Sequence, residues 1–349
     1  MPRPLNEQTV VVTGASSGIG REAALLLAAR GANVVLAARD QEALKDVADE
    51  IERAGGGGHA LTVATDVAEW LQVQNLAAQA VRRFGRIDTW VNNAGVGVGG
   101  TVEEVEVDEI ARIVQVNLMG QIHGVKAALP YMRQAGSGAF INIGSVAGVR
   151  AFPLQTVYCA TKHAIKGFTE GLRLELQRDG ANFHVTLIAP SAINTPFFST
   201  ARTKFGTQLK PPPPVYEPTI VAESIVFAAE HPRRDIFIGG GRLFDILERI
   251  SPAMTDWMLT RGDAIFKMQV SDRPEVGPGN LFAPPVTPRS IRGTHSDVAN
   301  STSLYTKAFE WHPFLKPALL ATAAIGVAAL LKGRARPRNP VQRARDWIG

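Results

Sequence analysis

The sequence is poor in cysteine, in aromatic residues and in long apolar runs. Its one cysteine, Cys159, excludes an intramolecular disulfide framework and fits a reducing compartment. Its seven histidines fall at no zinc-ligand spacing and HExxH is absent, so no metal site is expected. No apolar stretch follows Met1-Pro2-Arg3-Pro4-Leu5-Asn6-Glu7, so no secretory signal peptide is expected and the cytoplasm is the expected location. The body also lacks an excess of either charge. The net charge is +5, and residues 332–349 carry all of it, with six Lys and Arg against Asp346. A neutral body removes the electrostatic footprint of nucleic-acid binding, so no nucleic-acid partner is expected.

What is present is a chain of 349 residues, 45% hydrophobic and 20% charged, long enough to bury a large core. Short apolar runs alternate with helical patterns. Strands are predicted at Thr9–Thr13, Asn33–Ala38, His59–Thr65, Ile87–Val91, Ala139–Ile143 and Phe183–Ala189. Helices are predicted at Gly20–Arg30, from the capping residue Asp40 to Ala54, at Ala68–Phe84, at about 107–134 and at Leu154–Arg178. The strands are almost wholly apolar, as parallel strands covered on both faces are. The pattern predicts an α/β fold: a Rossmann-type doubly wound parallel sheet in three α/β/α layers, with a carboxy-terminal helical extension. In such sheets a ligand lies beyond the carboxyl ends of the strands, near the point where strand order reverses. The expected division is a catalytic domain over 1–245, an extension and irregular linker over 246–303, and an apolar helix with a basic tail over 304–349.

The first strand runs into Thr13-Gly14-Ala15-Ser16-Ser17-Gly18-Ile19-Gly20 and then a helix. Glycines at these positions let main-chain amides approach a pyrophosphate, and a helix amino end favours negative charge. Asn92-Asn93-Ala94-Gly95 follows the fourth strand and Ser145 the fifth. Tyr158 and Lys162 lie four apart, on one helix face. A free tyrosine, with a pKa of about 10, is a poor base near neutrality, and a nearby ammonium favours its phenolate. Alone, a Tyr–Lys pair is ordinary helix surface, and a serine after a strand is a turn residue.

Together these motifs resemble the short-chain dehydrogenase/reductase family over about Thr9–Gly240. The spacing GxxxGxG behind a threonine, NNAG, Asn117 in the long helix, Ser145, YxxxK, and Pro190 with Thr195 after the sixth strand occur in the family's order. The resemblance implies catalysis by Asn117, Ser145, Tyr158 and Lys162. Asn117 would hold a water that links Lys162 to solvent. It implies a dinucleotide on Gly14, Ser16, Ser17, Gly18, Ile19, Gly20, Asp66, Val67, Asn93, Ala94, Gly95, Tyr158, Lys162, Pro190, Ile193 and Thr195. Ala38 stands where relatives that prefer NAD usually carry an acid, and Arg39 follows, which points to NADP(H). Asp40 is the counter-argument, and its simpler role is the helix cap. The resemblance further implies a homodimer or homotetramer that pairs the helices over about 107–134 and 154–178.

The expected function is interconversion of a carbonyl and an alcohol by hydride transfer, on a small, apolar substrate. A 3-oxoacyl-carrier-protein-type reductase and a non-catalytic NADP-binding scaffold are the alternatives. Several features depart from the family pattern. Ser191 replaces a common glycine, which points to a differently shaped loop. A long loop over Phe197–Pro218 carries Phe197, Phe198, Phe205 and Tyr216, as an apolar lid or a proline spacer. Cys159 reads as packing and His163 as helix surface. Residues 317–331 form an apolar stretch of 15 residues, about 22 Å as a helix against a hydrocarbon core of about 30 Å. The expected reading is peripheral attachment to the cytoplasmic face of a membrane through 311–349, with docking on protein as the alternative.

Overall fold

The computed structural model describes residues 2–179, 182–260, 264–285, 289–303 and 305–311. The chain divides into two compact units, Met1–Leu304 and Tyr305–Gly349. In the second, a π-helical turn at Thr306–Glu310 brings the Lys307 ammonium 5.6 Å from the Trp311 ring centre. The apolar stretch 317–331 and the basic tail lie outside the described residues. None of the described helices is long and apolar enough to cross a membrane.

The first unit is built on a parallel sheet of seven strands. These are β1 (Thr9–Thr13), β2 (Asn33–Ala38), β3 (Ala60–Ala64), β4 (Thr89–Asn92), β5 (Ser137–Ile143), β6 (Asn182–Ala189) and β7 (Asp235–Phe237). Their order is β7-β6-β5-β4-β1-β2-β3. β1 pairs with β2 on one side, Val11 opposite Val35, and with β4 on the other, Val11 opposite Trp90. The strand order reverses here, so the ends of β1 and β4 frame the crevice that the sequence pattern anticipates.

Helices cover both faces: α1 (Gly18–Ala29), α2 (Gln41–Ala54), α3 (Trp70–Phe84), α4 (Val107–Val114), α5 (Gly120–Ala135), α6 (Thr156–Arg178) and α7 (Pro218–Glu230). Side chains alternate across a strand, and β1 shows the result. Val10 and Val12 join Leu27, Leu44 and Ile225 on one face, while Val11 joins Leu76, Trp90 and Leu172 on the other. All nine are nearly or fully inaccessible. At an order of 2 kcal/mol for each large apolar side chain, burial on the two faces is the main drive for the layered fold. Asp40 caps α2, its carboxylate accepting from the Ala43 amide at 3.0 Å.

Three features differ from the expected elements. The helix expected over 107–134 holds a π-helical turn at Gln115–Met119 between α4 and α5, closed by the Gly120 amide on the Gln115 carbonyl. One residue more per turn shifts the register of all that follows. The stretch Phe197–Pro218 is not an open loop. It contains a helical turn at Phe197–Thr200 and pairs by short strands with Val98–Gly99, Ala192–Ile193 and Val270–Pro274. Past the strand Val270–Pro274, residues 275–285 and 289–303 are irregular in backbone and pack on the sheet unit, with Asn280 bonded to Thr200, Gly293 to Asn194 and Asn300 to Val215.

Candidate active site

A cavity of about 410 Å³ opens along the carboxyl ends of the strands. The turn after β1 forms its floor. Gly14 and Gly18 hold positive φ angles of 68° and 55°. Gly20 packs so closely on this turn that a Cβ there would lie 2.2 Å from the Gly14 carbonyl oxygen. Ser17 ends α1 without a side-chain cap, so the helix amino end presents main-chain N–H groups. The turn is tied to the end of β4 through Thr13, whose hydroxyl accepts from the Asn93 and Ala94 amides at 2.9 and 3.1 Å. Asn93 returns its side-chain amide to the Thr13 carbonyl at 2.9 Å. Gly14, Ser16, Ser17, Gly18, Ile19, Arg39, Asp66, Val67, Asn93, Ala94, Gly95, Pro190, Ile193 and Thr195 all line this one cavity, and Gly20 supports the turn from behind.

Ser145, Tyr158 and Lys162 meet at the opposite end of the cavity. Ser145 caps a short turn, accepting from the Ala147 amide at 3.0 Å, and is hydrogen-bonded to the Tyr158 phenol. Burial pushes the phenol above its ordinary pKa, and the Ser145 bond pulls it part of the way back. The sequence predicts the reverse, a phenol lowered by Lys162. The difference is physical: the ammonium lies 5.5 Å from the ring centre, and desolvation outweighs it. Burial also pushes Lys162 down, to about 8. Its ammonium donates to the Ile143 carbonyl at 2.9 Å.

Asn117 sits in the π-helical turn and is fully buried. Its side chain is clipped to Val96, accepting from that amide at 2.8 Å and donating to that carbonyl at 2.9 Å, with a further bond to Thr161 at 3.2 Å. The side chain thus fixes the loop after β4 below Lys162. Phe197 lies tilted by 48° against the Tyr158 ring, 5.6 Å between centres, and meets Phe198 edge-on. These two line the cavity, whereas Phe205 lies against Gly99 and Tyr216 against Gly239. Ser191 takes ordinary backbone angles, since Leu154 is the one non-glycine with positive φ among the described residues. The Cys159 thiol is buried and raised by burial, and His163 Nδ1 donates to the Cys159 carbonyl at 2.8 Å.

At the far end of the cavity Arg39 is half desolvated, and Asp66 offsets part of that cost. Asp66 is itself paired with Arg112 at 2.5 Å. The motifs do not reveal several lining residues: Phe152, Gln155, Leu259, Met268 and Gln269 near Tyr158, and Asn280, Pro284, Pro285 and Arg289 near Arg39. All but two come from the extension, whose composition carries no signal of a binding role.

The chain matches the short chain dehydrogenase family model over residues 8–205. It is 37% identical to an uncharacterized oxidoreductase of Bacillus subtilis, YxnA, across 94% of this chain and 92% of that one. It is 40% identical to an uncharacterized oxidoreductase of Staphylococcus saprophyticus, SSP1627, across 55% of this chain and 76% of the relative. Among solved structures it resembles levodione reductase, with a TM-score of 0.59 and 29% identity over 68% of this chain and 97% of that one. A metagenomic short-chain oxidoreductase in complex with NADP gives 0.58 and 31%, over 68% and 98%. The chain therefore belongs to the short-chain dehydrogenase family. It is an oxidoreductase of that family, acting on CH–OH groups.

Proposed function

We propose that the protein is an NADP(H)-dependent carbonyl reductase or alcohol dehydrogenase acting on an apolar small molecule. The observation that carries this reading is the meeting of Ser145, Tyr158 and Lys162 at one end of the cavity that the glycine turn floors at the other. The cradle fits a dinucleotide: a Cβ at Gly14 or Gly20 would crowd the turn, and a helix end without a side-chain cap faces the cavity. When bound, the nicotinamide gives or takes the hydride. Ser145 holds the substrate oxygen, and the protonated Tyr158 phenol donates to it during reduction. Lys162, fixed on Ile143, holds a positive charge beside the phenol. Phe197 and Phe198 exclude water from the reacting carbon and favour an apolar substrate. A panel of aliphatic, aromatic and steroidal carbonyls, followed by loss of NADPH absorbance, tests the reading. No turnover of any of them by the purified chain counts against it.

The site's protonation sets a pH profile. Tyr158 keeps its proton through neutrality, and Lys162 loses its own near pH 8. Carbonyl reduction is expected to hold level below about pH 8 and to fall above it as the ammonium is lost. Initial rates from acid to alkaline pH at saturating NADPH decide this. The same lysine binds more protons in the unfolded chain between about 8 and its ordinary value of 10.5, so its contribution to stability rises with pH through that window.

Arg39 supports the choice of NADP. Of the five donors on a guanidinium, it commits two to main-chain carbonyls. The remainder suit a ribose 2′-phosphate, and the NADP-bound structural neighbour is in accord with this. Arg39→Asp is expected to reverse cofactor preference, with the ratio of kcat/KM for NADPH over NADH falling about a hundredfold. An unmodified chain that prefers NADH refutes the assignment. We also infer a homodimer or homotetramer through α4–α5 and α6, in keeping with Val107 and Leu174, which are 82% and 66% exposed. Light scattering at micromolar concentration that returns a monomer excludes it.

A further inference from the structure

The extension does not end at the sheet. It crosses the cofactor cavity lengthwise. At one end the Asn280 amide donates to the Thr200 carbonyl at 2.9 Å, and Leu281 is fully buried in the core on the Val11 face of the sheet. The Asn280 and Leu281 carbonyls accept from Arg39 at 2.5 and 3.2 Å, and the Leu281 carbonyl also accepts from Arg112 at 3.2 Å. Arg112 is the partner of Asp66, so this end lies over the expected adenine pocket. Further along, Arg289 meets three carboxylates of α2 and its cap: Asp40 at 3.3 Å, Glu42 at 3.1 Å and Asp46 at 2.9 Å. Its carbonyl accepts from Arg21. The next carbonyl, of Ser290, accepts from the Gly18 amide at 3.0 Å, inside the glycine turn itself.

The segment then reaches the loop after β6. Arg292 pairs with Glu217 at 2.7 Å, and the Gly293 amide donates to the Asn194 carbonyl at 3.1 Å. Gly293 approaches so closely that a Cβ would lie 2.6 Å from the Thr195 carbonyl oxygen. Thus residues 280–281 and 289–293 touch in turn the expected adenine end, the ribose corner, the glycine turn and the nicotinamide-side loop. Asn280, Pro284, Pro285 and Arg289 line the same cavity as Tyr158. The match to YxnA covers all but 6% of this chain and so takes in this stretch, whereas the solved structures cover 68%.

We propose, resting on the dinucleotide reading above, that residues 280–285 and 289–296 form a further wall of the cofactor site. This strap lies over the bound dinucleotide, and Arg289 latches it to the carboxylates of α2. With the strap down, the dinucleotide leaves only after the latch opens. Exposed ion pairs are individually weak, so three on one guanidinium make a latch that opens readily yet slows release. Leu281 anchors one end of the strap in the core, while the Gly18–Ser290 bond beside the latch must break with it for the strap to open.

The test is the rate at which NADPH leaves the intact chain, read by its fluorescence in stopped flow against excess NADP. Arg289→Gln is expected to speed release about tenfold. The double change Glu42→Gln and Asp46→Asn removes the latch from the exposed face of α2 and is expected to do the same. In the unmodified chain, NADPH is expected to slow hydrogen exchange of the amides in 289–296. Release rates unchanged in both variants overturn the proposal. A chain that binds neither NADPH nor NADH fails differently, because it removes the cofactor reading itself.

Discussion

Replacement of Tyr158 by Phe lowers turnover about a thousandfold while leaving NADPH affinity within about twofold. The ring keeps its volume and its contact with Phe197, so the cavity wall stands. What disappears is the proton and the Ser145 bond that aims it. General acid catalysis is worth about 10² to 10⁴ in rate, and no neighbouring group replaces the phenol. Lys162 donates to the Ile143 carbonyl, and Asn117 is bound on both sides to Val96. Steady-state kinetics together with NADPH titration separate the two effects. Near-normal turnover by the variant sinks the assigned role of Tyr158.

The second large effect is expected from Gly20→Ala. The added methyl would stand 2.2 Å from the Gly14 carbonyl oxygen and 2.6 Å from the Asn93 side-chain nitrogen. The first of these neighbours is backbone and has no rotamer to give. Either α1 backs away from the turn or the turn opens, and both spoil the cradle. Overpacking of this kind costs about 1–3 kcal/mol in stability. NADPH binding is expected to fall at least about a hundredfold, because the displaced amides are those that would meet the pyrophosphate. Gly171→Ala is the comparison. It lies on α6 with nothing of its own chain within 4 Å, so the change should leave NADPH binding intact. Calorimetric titration with thermal melts distinguishes them. Tight NADPH binding by Gly20→Ala refutes the placement of the dinucleotide over this turn.

The sheet and its motifs were legible because each rests on residues close in sequence. The apolar runs place β1 and β2 at the residues observed, and Asp40 is the helix cap that its position suggests. Strand β7 escaped because three residues are too few to show a period. The π-helical turn escaped because its residues, Gln-Val-Asn-Leu-Met, suit an α-helix equally well. The direction of the Tyr158 shift was misread for another reason. A lysine four residues away is visible in the sequence, but desolvation is set by everything packed around the phenol. The partners of Arg39 and Arg21 were the least visible of all. They lie 241 and 268 residues away, in a segment whose Pro, Gly, Ser and Thr content reads as a linker.

That separation has a consequence in the order of synthesis. A ribosome adds about 5–20 residues each second, and domains form as they emerge. β7, the last strand of the sheet, ends at Phe237, while the first strap contact is at Asn280. The cleft is therefore complete roughly a few seconds before its cover exists. A dinucleotide meets an open groove on the growing chain and a roofed one on the finished protein. With the strap as proposed, capture before Asn280 is made is the easiest moment for this fold to take up its cofactor.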